Sequence, residues 1–250
     1  VDHIYQTLPN TALHILSNGR GFADMQFAES YSQAAGPLSM VGIPVYGAEP
    51  SLHDYVVQAH GAFEETINGI LNLGELGQSL EIRVVLHAAT APHIVAIAEF
   101  IARNLPFVDQ VAMMGLEMTG LARRNVDQLW IDPIEYREAL AEAVEILHAN
   151  RIHVMVYNHQ LCLLHPDIWD FSVKSISDWK NEYDPICSQC DVRERCGGFF
   201  HSAKYGSSSL ITPLTLDGTP KLRDTSEEKA PINNPGWSRK QIPVTGVFLP

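Results

Sequence analysis

The stretch "LEIRVVLHAATAPHIVAIAEFIARNLPFVDQVAMMGLEMTG", residues 80–120, sets the fold. Its first part, "LEIRVVLHA" (80–88), is a short, nearly continuous apolar run rich in β-branched residues, which reads as a strand buried on both faces. The next part, "PHIVAIAEFIARNL" (92–105), has helical spacing and a proline near its first turn. A second apolar run, "QVAMMGLEMTG" (110–120), follows. Strand, amphipathic helix and strand in that order predict parallel strands covered by helices.

The same alternation extends in both directions. Upstream, "TALHILSNG" (11–19) is a β-rich run ending in an Asn-Gly turn, and "PLSMVGIPVYG" (37–47) is a second one closed by glycine. A helix is predicted over 59–76, where Phe63, Ile67, Ile70, Leu71 and Leu73 share a face. Downstream, the helix over 132–150 opens on Asp132, a natural N-cap followed by Pro133 and Glu135. "IHVMVYN" (152–158) is a fifth strand. The pattern fits a TIM-like barrel or a doubly wound sheet, and the absence of a GxGxxG or Walker sequence argues against a nucleotide-binding doubly wound fold. In a parallel barrel, chemistry gathers at the C-terminal strand ends. The residues there are Ser17, Asn18 and Gly19; Tyr46 and Gly47; His87; Glu117 and Thr119; and Asn158.

The 250 residues carry 29 acids against 17 bases, a net charge of −12, which argues against nucleic acid as a partner. No apolar run reaches the length of a membrane span and no signal peptide opens the chain, so a cytoplasmic location is the expectation. Three units are expected: a partial barrel over 1–158, a cysteine-bearing segment over 159–212, and a Pro-rich, poorly ordered tail over 213–250. The first residue is Val1, and the sequence reads as lacking its natural beginning.

All four cysteines lie in the middle unit, spaced C-x24-C-x2-C-x5-C: Cys162, Cys187, Cys190 and Cys196. A C-x2-C pair puts two thiolates on one side of a tight turn, the third stands a short loop away, and Cys162 joins through the fold. Disulfides do not suit a cytosolic chain of this size. Structural zinc and an iron–sulfur cluster both take four thiolates, and spacing alone does not choose between them. Gly197 and Gly198, which follow at once, favour the cluster, because glycine backbone lets N–H groups approach inorganic sulfide. They also suit a plain turn.

Beyond these readings, "LHILSNGRGF", "IPVYGAEPSLHDYVVQAHGAFEETINGILNL" and the cysteine-rich end together resemble radical S-adenosylmethionine (SAM) enzymes. The second stretch carries the family's glycine after a barrel strand (Gly47), its His-Asp pair (His53, Asp54) and its Gly-x-Phe ahead of a helix (Gly61, Phe63). The end, "ISDWKNEYDPICSQCDVRERCGGFFHSA", is similar to the cluster region of the His-Xaa-Ser system radical SAM maturases, C-type member. The resemblance covers about residues 1–212. It implies a partial (β/α)6 barrel with an auxiliary 4Fe–4S cluster on the C-terminal cysteines. It also implies a second 4Fe–4S cluster that cleaves SAM to a 5′-deoxyadenosyl radical. The substrate implied is a ribosomally made peptide with His-Xaa-Ser repeats. A second radical SAM protein and a reductant protein would act with it.

The family's C-x3-C-x2-C motif and its Gly-Gly-Glu are absent. If "TALHILSNG" is the third barrel strand, two βα units are missing, roughly 60 residues at about 30 per unit. Ser17, Asn18, Tyr46, Gly47 and Glu117 are the candidate SAM contacts, and no catalytic residue is assigned. Glu117 stands out because a carboxylate between Leu116 and Met118 needs a polar mouth or a partner. His53 with Asp54 is expected to shape a loop, and Met113 and Met114 to be core. Two other functions remain open: a zinc-stabilised barrel hydrolase, and a catalytically inactive peptide-binding barrel.

Overall fold

The computed structural model describes residues 1–8, 10–175 and 181–221. Six parallel strands form one sheet in chain order: β1 (Leu13–Leu16), β2 (Ser39–Pro44), β3 (Ser79–Leu86), β4 (Gln110–Gly115), β5 (His153–Tyr157) and β6 (Ser172–Val173). Helix α1 (Asp2–Thr7) precedes β1, and α2 (Met25–Ala35) links it to β2. Then α3 (Pro50–Val57) and α4 (Ala62–Glu75) lead to β3, and α5 (Ile94–Asn104) to β4. Two short helices, α6 (Gly120–Arg124) and α7 (Val126–Leu129), and the long α8 (Arg137–Ala149) fill the connection to β5. A strand order that never reverses has no topological switch point, so the sheet is wound in one direction, as a barrel wall is, and not doubly wound. Among the described residues β1 pairs only with β2 and β6 only with β5, which leaves the wall open. The fold is a partial TIM-like α/β sheet.

The period of two along each strand decides what each face does. Val41, Ile43, Leu80, Ile82, Val84, Val111, Met113, Val154 and Val156 face the helices and are buried with Ile70, Leu73, Ile97, Ile101, Leu140 and Leu147. The other face is mixed. Leu16 is 62% exposed there, while Glu81 is only 3% exposed. The register sets Glu81 beside Gly42 and Gln110. Gln110 Nε2 donates to the Glu81 carboxylate at 2.5 Å, and Arg83 Nε and His14 Nε2 stand 3.1 and 3.4 Å from it. Gln110 and the Arg83 guanidinium offset part of the cost of a carboxylate on that face, although Glu81 Oε1 makes no hydrogen bond among the described residues.

The sequence pattern anticipates five strands and three of the helices. It misses α2 and α3, which are short on apolar periodicity, and it starts the helix over 59–76 three residues early. Asp132 forms a capping box with Glu135, but on a 3-10 turn, Pro133–Glu135, so α8 begins only at Arg137. Alternation also does not stop at 158, because β6 extends the sheet by one strand.

Helix α4 sits unusually close to the loop after β1. A Cβ on Gly69 would lie 2.1 Å from the Gly19 carbonyl oxygen, and Gly19 itself adopts φ +80, which glycine alone takes readily. We expect Gly69→Ala to destabilise the protein by about 1–3 kcal/mol through overpacking, despite alanine's better helix propensity. Asn68→Ala, on the exposed side of the same helix, should be neutral or stabilising. Denaturant midpoints of the two variants check this, and a Gly69→Ala midpoint at or above the parent's would contradict it.

Candidate functional site

The strand-end residues singled out from the sequence fall into separate groups. Ser17 and Asn18 build the turn after β1: Ser17 Oγ accepts from Gly19 N–H at 3.1 Å and Asn18 Oδ1 from Arg20 N–H at 3.2 Å. Thr66 Oγ1 on α4 donates to the Asn18 carbonyl at 3.1 Å. These bonds account for both residue types as turn chemistry. Tyr46 and Gly47 leave β2 and meet the His-Asp pair. Tyr46 N–H donates to His53 Nδ1 at 3.3 Å, and the Tyr46 ring lies 5.7 Å from that of His53 and 6.4 Å from that of His87. A Cβ on Gly47 would stand 2.9 Å from Leu52 Cβ and 3.1 Å from His53 N, so the loop closes against bare backbone. Burial holds His53 and His87 below the usual imidazole range. Glu117 lies half-buried beyond β4, between partly buried Leu116 and buried Met118.

Asp54 explains the spacing of the His-Asp and Gly-x-Phe stretches. Its carboxylate accepts from Gly61 N–H at 2.6 Å and from Phe63 N–H at 2.8 Å, tying α3 to the first turn of α4. The bond from Phe63 leads the causes that lower its pKa.

Over the ends of β3, β4 and β5 lies a cleft of about 70 Å³ that strand-end reasoning located only in part. Asn158 forms one side, at φ +62, with its Nδ2 donating to the Gly115 carbonyl at 3.0 Å. Tyr136 lines it too, and its hydroxyl is 2.9 Å from His159 Nε2. His159 Nδ1 is 2.7 Å from the Tyr157 carbonyl, so Nδ1 carries the proton and Nε2 accepts from the phenol. Burial pushes His159 down to about 4 and holds Tyr136 well above the ordinary phenol value, so both are neutral. The far wall comes from residues 199–207, which no strand pattern could have connected with this place.

Beside the cleft, four sulfurs share one cavity. Cys162 rides on the 3-10 turn Leu161–Leu163 just after β5. Cys187 sits on the turn Pro185–Gln189, capped by Asp184, and Cys190 and Cys196 follow on the next bends. All four are free thiols and all line the same small, largely apolar cavity, together with Leu161, Val192, Ile211 and Leu214. Among the described residues no three His, Cys, Asp or Glu side chains converge on a position for one metal ion. The thiols stand around a space. Leu214 N–H donates to Cys190 Sγ at 3.4 Å and Gly198 N–H to Cys196 Sγ at 3.5 Å. Gly198 has φ +65, and a Cβ on Gly197 would meet the His159 carbonyl at 2.9 Å, so the paired glycines are needed for backbone approach as well as for the turn. Desolvation pushes Cys162 up to about 12 and Cys187 up to about 11, and raises Cys196, with the neighbouring thiols adding to it.

The start of the Pro-rich stretch is part of this site. Leu214 bridges to Pro220, Asp191 N–H donates to the Leu214 carbonyl at 2.9 Å, and Lys221 Nζ donates to the Gln189 carbonyl at 2.7 Å. Residues 213–221 thus strap the C-x2-C turn, whereas 222–250, expected as tail, lie outside the described residues. So do 176–180, the start of the cysteine-rich resemblance.

No family model and no curated protein matches the chain. Several solved structures resemble part of it. Streptococcus suis SuiB matches at 12% identity and TM-score 0.47, over 63% of this chain and 35% of SuiB. A domain of pyruvate-formate lyase-activating enzyme from Bacteroides vulgatus matches at 13% and 0.46, over 62% of this chain and 88% of the domain. SuiB bound to S-adenosylmethionine matches at 11% and 0.47, over 70% of this chain and 39% of SuiB. This chain therefore spans a little over a third of SuiB's length. At these values the likenesses assign neither family nor function. Among the described residues no helix is long and apolar enough to cross a membrane.

Because its carboxyl is held below the ordinary aspartate value, Asp54 stabilises the fold at neutral pH, and that contribution fades as acid protonates it. Asp54→Asn should therefore melt below the parent at pH 7, with the gap closing below about pH 4. A gap that stays constant from pH 7 to pH 3 would remove the charge from the explanation.

Proposed function

We propose that this chain is part of a radical SAM peptide maturase and that Cys162, Cys187, Cys190 and Cys196 hold its auxiliary 4Fe–4S cluster. The observation that carries the reading is the gathering of these four thiols, one of them 25 positions before the next, around a single cavity. A structural zinc would draw four sulfurs to one point, about 2.3 Å from the ion. A 4Fe–4S cluster would take one thiolate on each of its four irons, so its four sulfur ligands would stand around a larger group. The apolar lining and the donors from Leu214 and Gly198 suit sulfur ligands and sulfide, and such hydrogen bonds tune a cluster's potential. When bound, the group supplies one-electron chemistry. The protein's own part is to bind it with four thiolates, leave no iron open, and exclude water with Leu161, Val192, Ile211 and Leu214.

The SAM-cleaving cluster belongs, on this reading, to residues other than these 250. Residues 1–161 contain no cysteine, and the open edge of β1 can take further parallel strands. Those strands would cover Leu16 and bring SAM to the ends of β1 and β2, near Asn18 and Tyr46. The substrate is a ribosomally made peptide of the His-Xaa-Ser type, and a second radical SAM protein and a reductant protein act with the enzyme, in the cytoplasm.

Anaerobic reconstitution with iron and sulfide should give a brown protein with about four irons and four sulfides. Cys162→Ala should lower the iron bound and expose the 187–196 loop to protease. Colourless protein retaining one zinc under the same conditions would sink the assignment. The chain alone should make no 5′-deoxyadenosine from SAM under strong reductant. Turnover by these 250 residues would mean that the C-terminal cysteines form the SAM site.

A further inference from the structure

The cleft over β3–β5 has a chemistry of its own. None of its lining side chains is charged, although 18% of the chain's residues are. Its walls are aromatic and aliphatic, with Trp130 on one side and Phe199 and Phe200 on the other. Trp130 is fixed by close packing on Gly206, where a Cβ would lie 2.4 Å from its ring, and Arg123 stacks on Tyr205 beside it at 4.0 Å. The connection carrying α6 and α7 is thereby pinned to residues 205–206, so the cleft is built and not a gap between loose segments.

Two carboxamides line it, and both have their nitrogens committed to backbone carbonyls: Asn158 to Gly115 at 3.0 Å and Gln160 to Gly198 at 2.7 Å. Each keeps its oxygen and one further N–H, so the lining can both accept and donate. Ser202 also lines the cleft and is 8% exposed, so its hydroxyl stands at the wall of this space. The space is about 70 Å³, against roughly 150 Å³ for a cavity that accepts benzene. That is room for one small side chain. A charged group would enter without a counter-ion and is disfavoured.

We infer that the cleft is a specificity pocket for one small, uncharged side chain bearing a hydrogen-bonding tip, of the size of a neutral imidazole or a carboxamide, with Ser202 meeting the tip. The inference rests on the peptide-maturase reading for its biological sense, since the pocket would seat one residue of the peptide. Its physical content does not depend on the cluster. Gln160 and Phe199 line both the cleft and the cysteine cavity, so a side chain held here lies one residue's thickness from that cavity.

The test uses the chain without added metal at pH 8, where imidazole is neutral. Binding of N-acetyl-histidinamide, N-acetyl-asparaginamide, N-acetyl-tyrosinamide and N-acetyl-lysinamide is measured by saturation-transfer NMR with competition. The imidazole or the carboxamide compound should bind at least about fivefold more tightly than the phenol and the ammonium compounds, the worth of one neutral hydrogen bond. Ser202→Ala should erase that preference. Ala203→Leu, which fills the lining, should abolish binding of all four while leaving the melting curve near the parent's. The ranking on the parent protein needs no variant, so a poorly folded variant does not rescue the idea. Equal binding of all four compounds, tightest binding of the ammonium compound, or no binding at millimolar concentration overturns it. Failure here with four irons on the cysteines would leave the maturase reading standing. Selective binding in a protein that takes up only zinc would leave the pocket and remove the maturase.

Discussion

Four thiols gathered around one apolar cavity are the constraint on which the C-terminal half depends. Cys162 follows β5 by only a few residues, so bringing Cys187, Cys190 and Cys196 to it forces residues 183–214 back across the C-terminal end of the sheet. That return path places Phe199, Phe200 and Ser202 over the strand ends and so makes the cleft. It also fixes the glycine pair, whose backbone runs against His159 and Cys196 where no side chain fits. Bare thiols in such a place gain little from one another. A metal-bound set gains a great deal, because ligand binding and folding then share one free energy.

The sheet imposes the complementary constraint. Its helix-facing side is a continuous apolar layer and needs nothing further. Its other side has a β1 edge that is unpaired among the described residues, an exposed Leu16, and a buried Glu81 beside Arg83, His14 and Gln110. Exposed, that edge invites pairing with another strand.

Much of this was legible in the sequence, and the reason is local. Strands β2 to β5 and helices α4, α5 and α8 each carry their own apolar period, so one window of residues suffices to find them. The gathering of the four cysteines was legible because thiols that close in sequence have few other uses. The His53-Asp54 and Gly61-Phe63 spacing was visible as a motif, but its cause, a carboxylate capping two amides, needed the fold. Ser17 and Asn18, at a strand end, each also accept a bond within their own turn, which sequence position alone does not reveal. The cleft was hidden for a different reason. Its walls come from β4, β5 and residues 199–207, and no period links segments that far apart. The strap over 213–221 was hidden by its prolines and glycine, which read as disorder although Lys221 and Leu214 anchor it.

The central claim is that the four cysteines enclose a multi-iron cluster and not a single ion. The most direct measurement is anomalous diffraction at the iron and zinc edges from crystals grown without oxygen. The account predicts a compact four-iron feature inside the cavity, in contact with the sulfurs of Cys162, Cys187, Cys190 and Cys196, and no zinc signal. A single peak at the zinc edge with the four sulfurs drawn in around it would contradict the account.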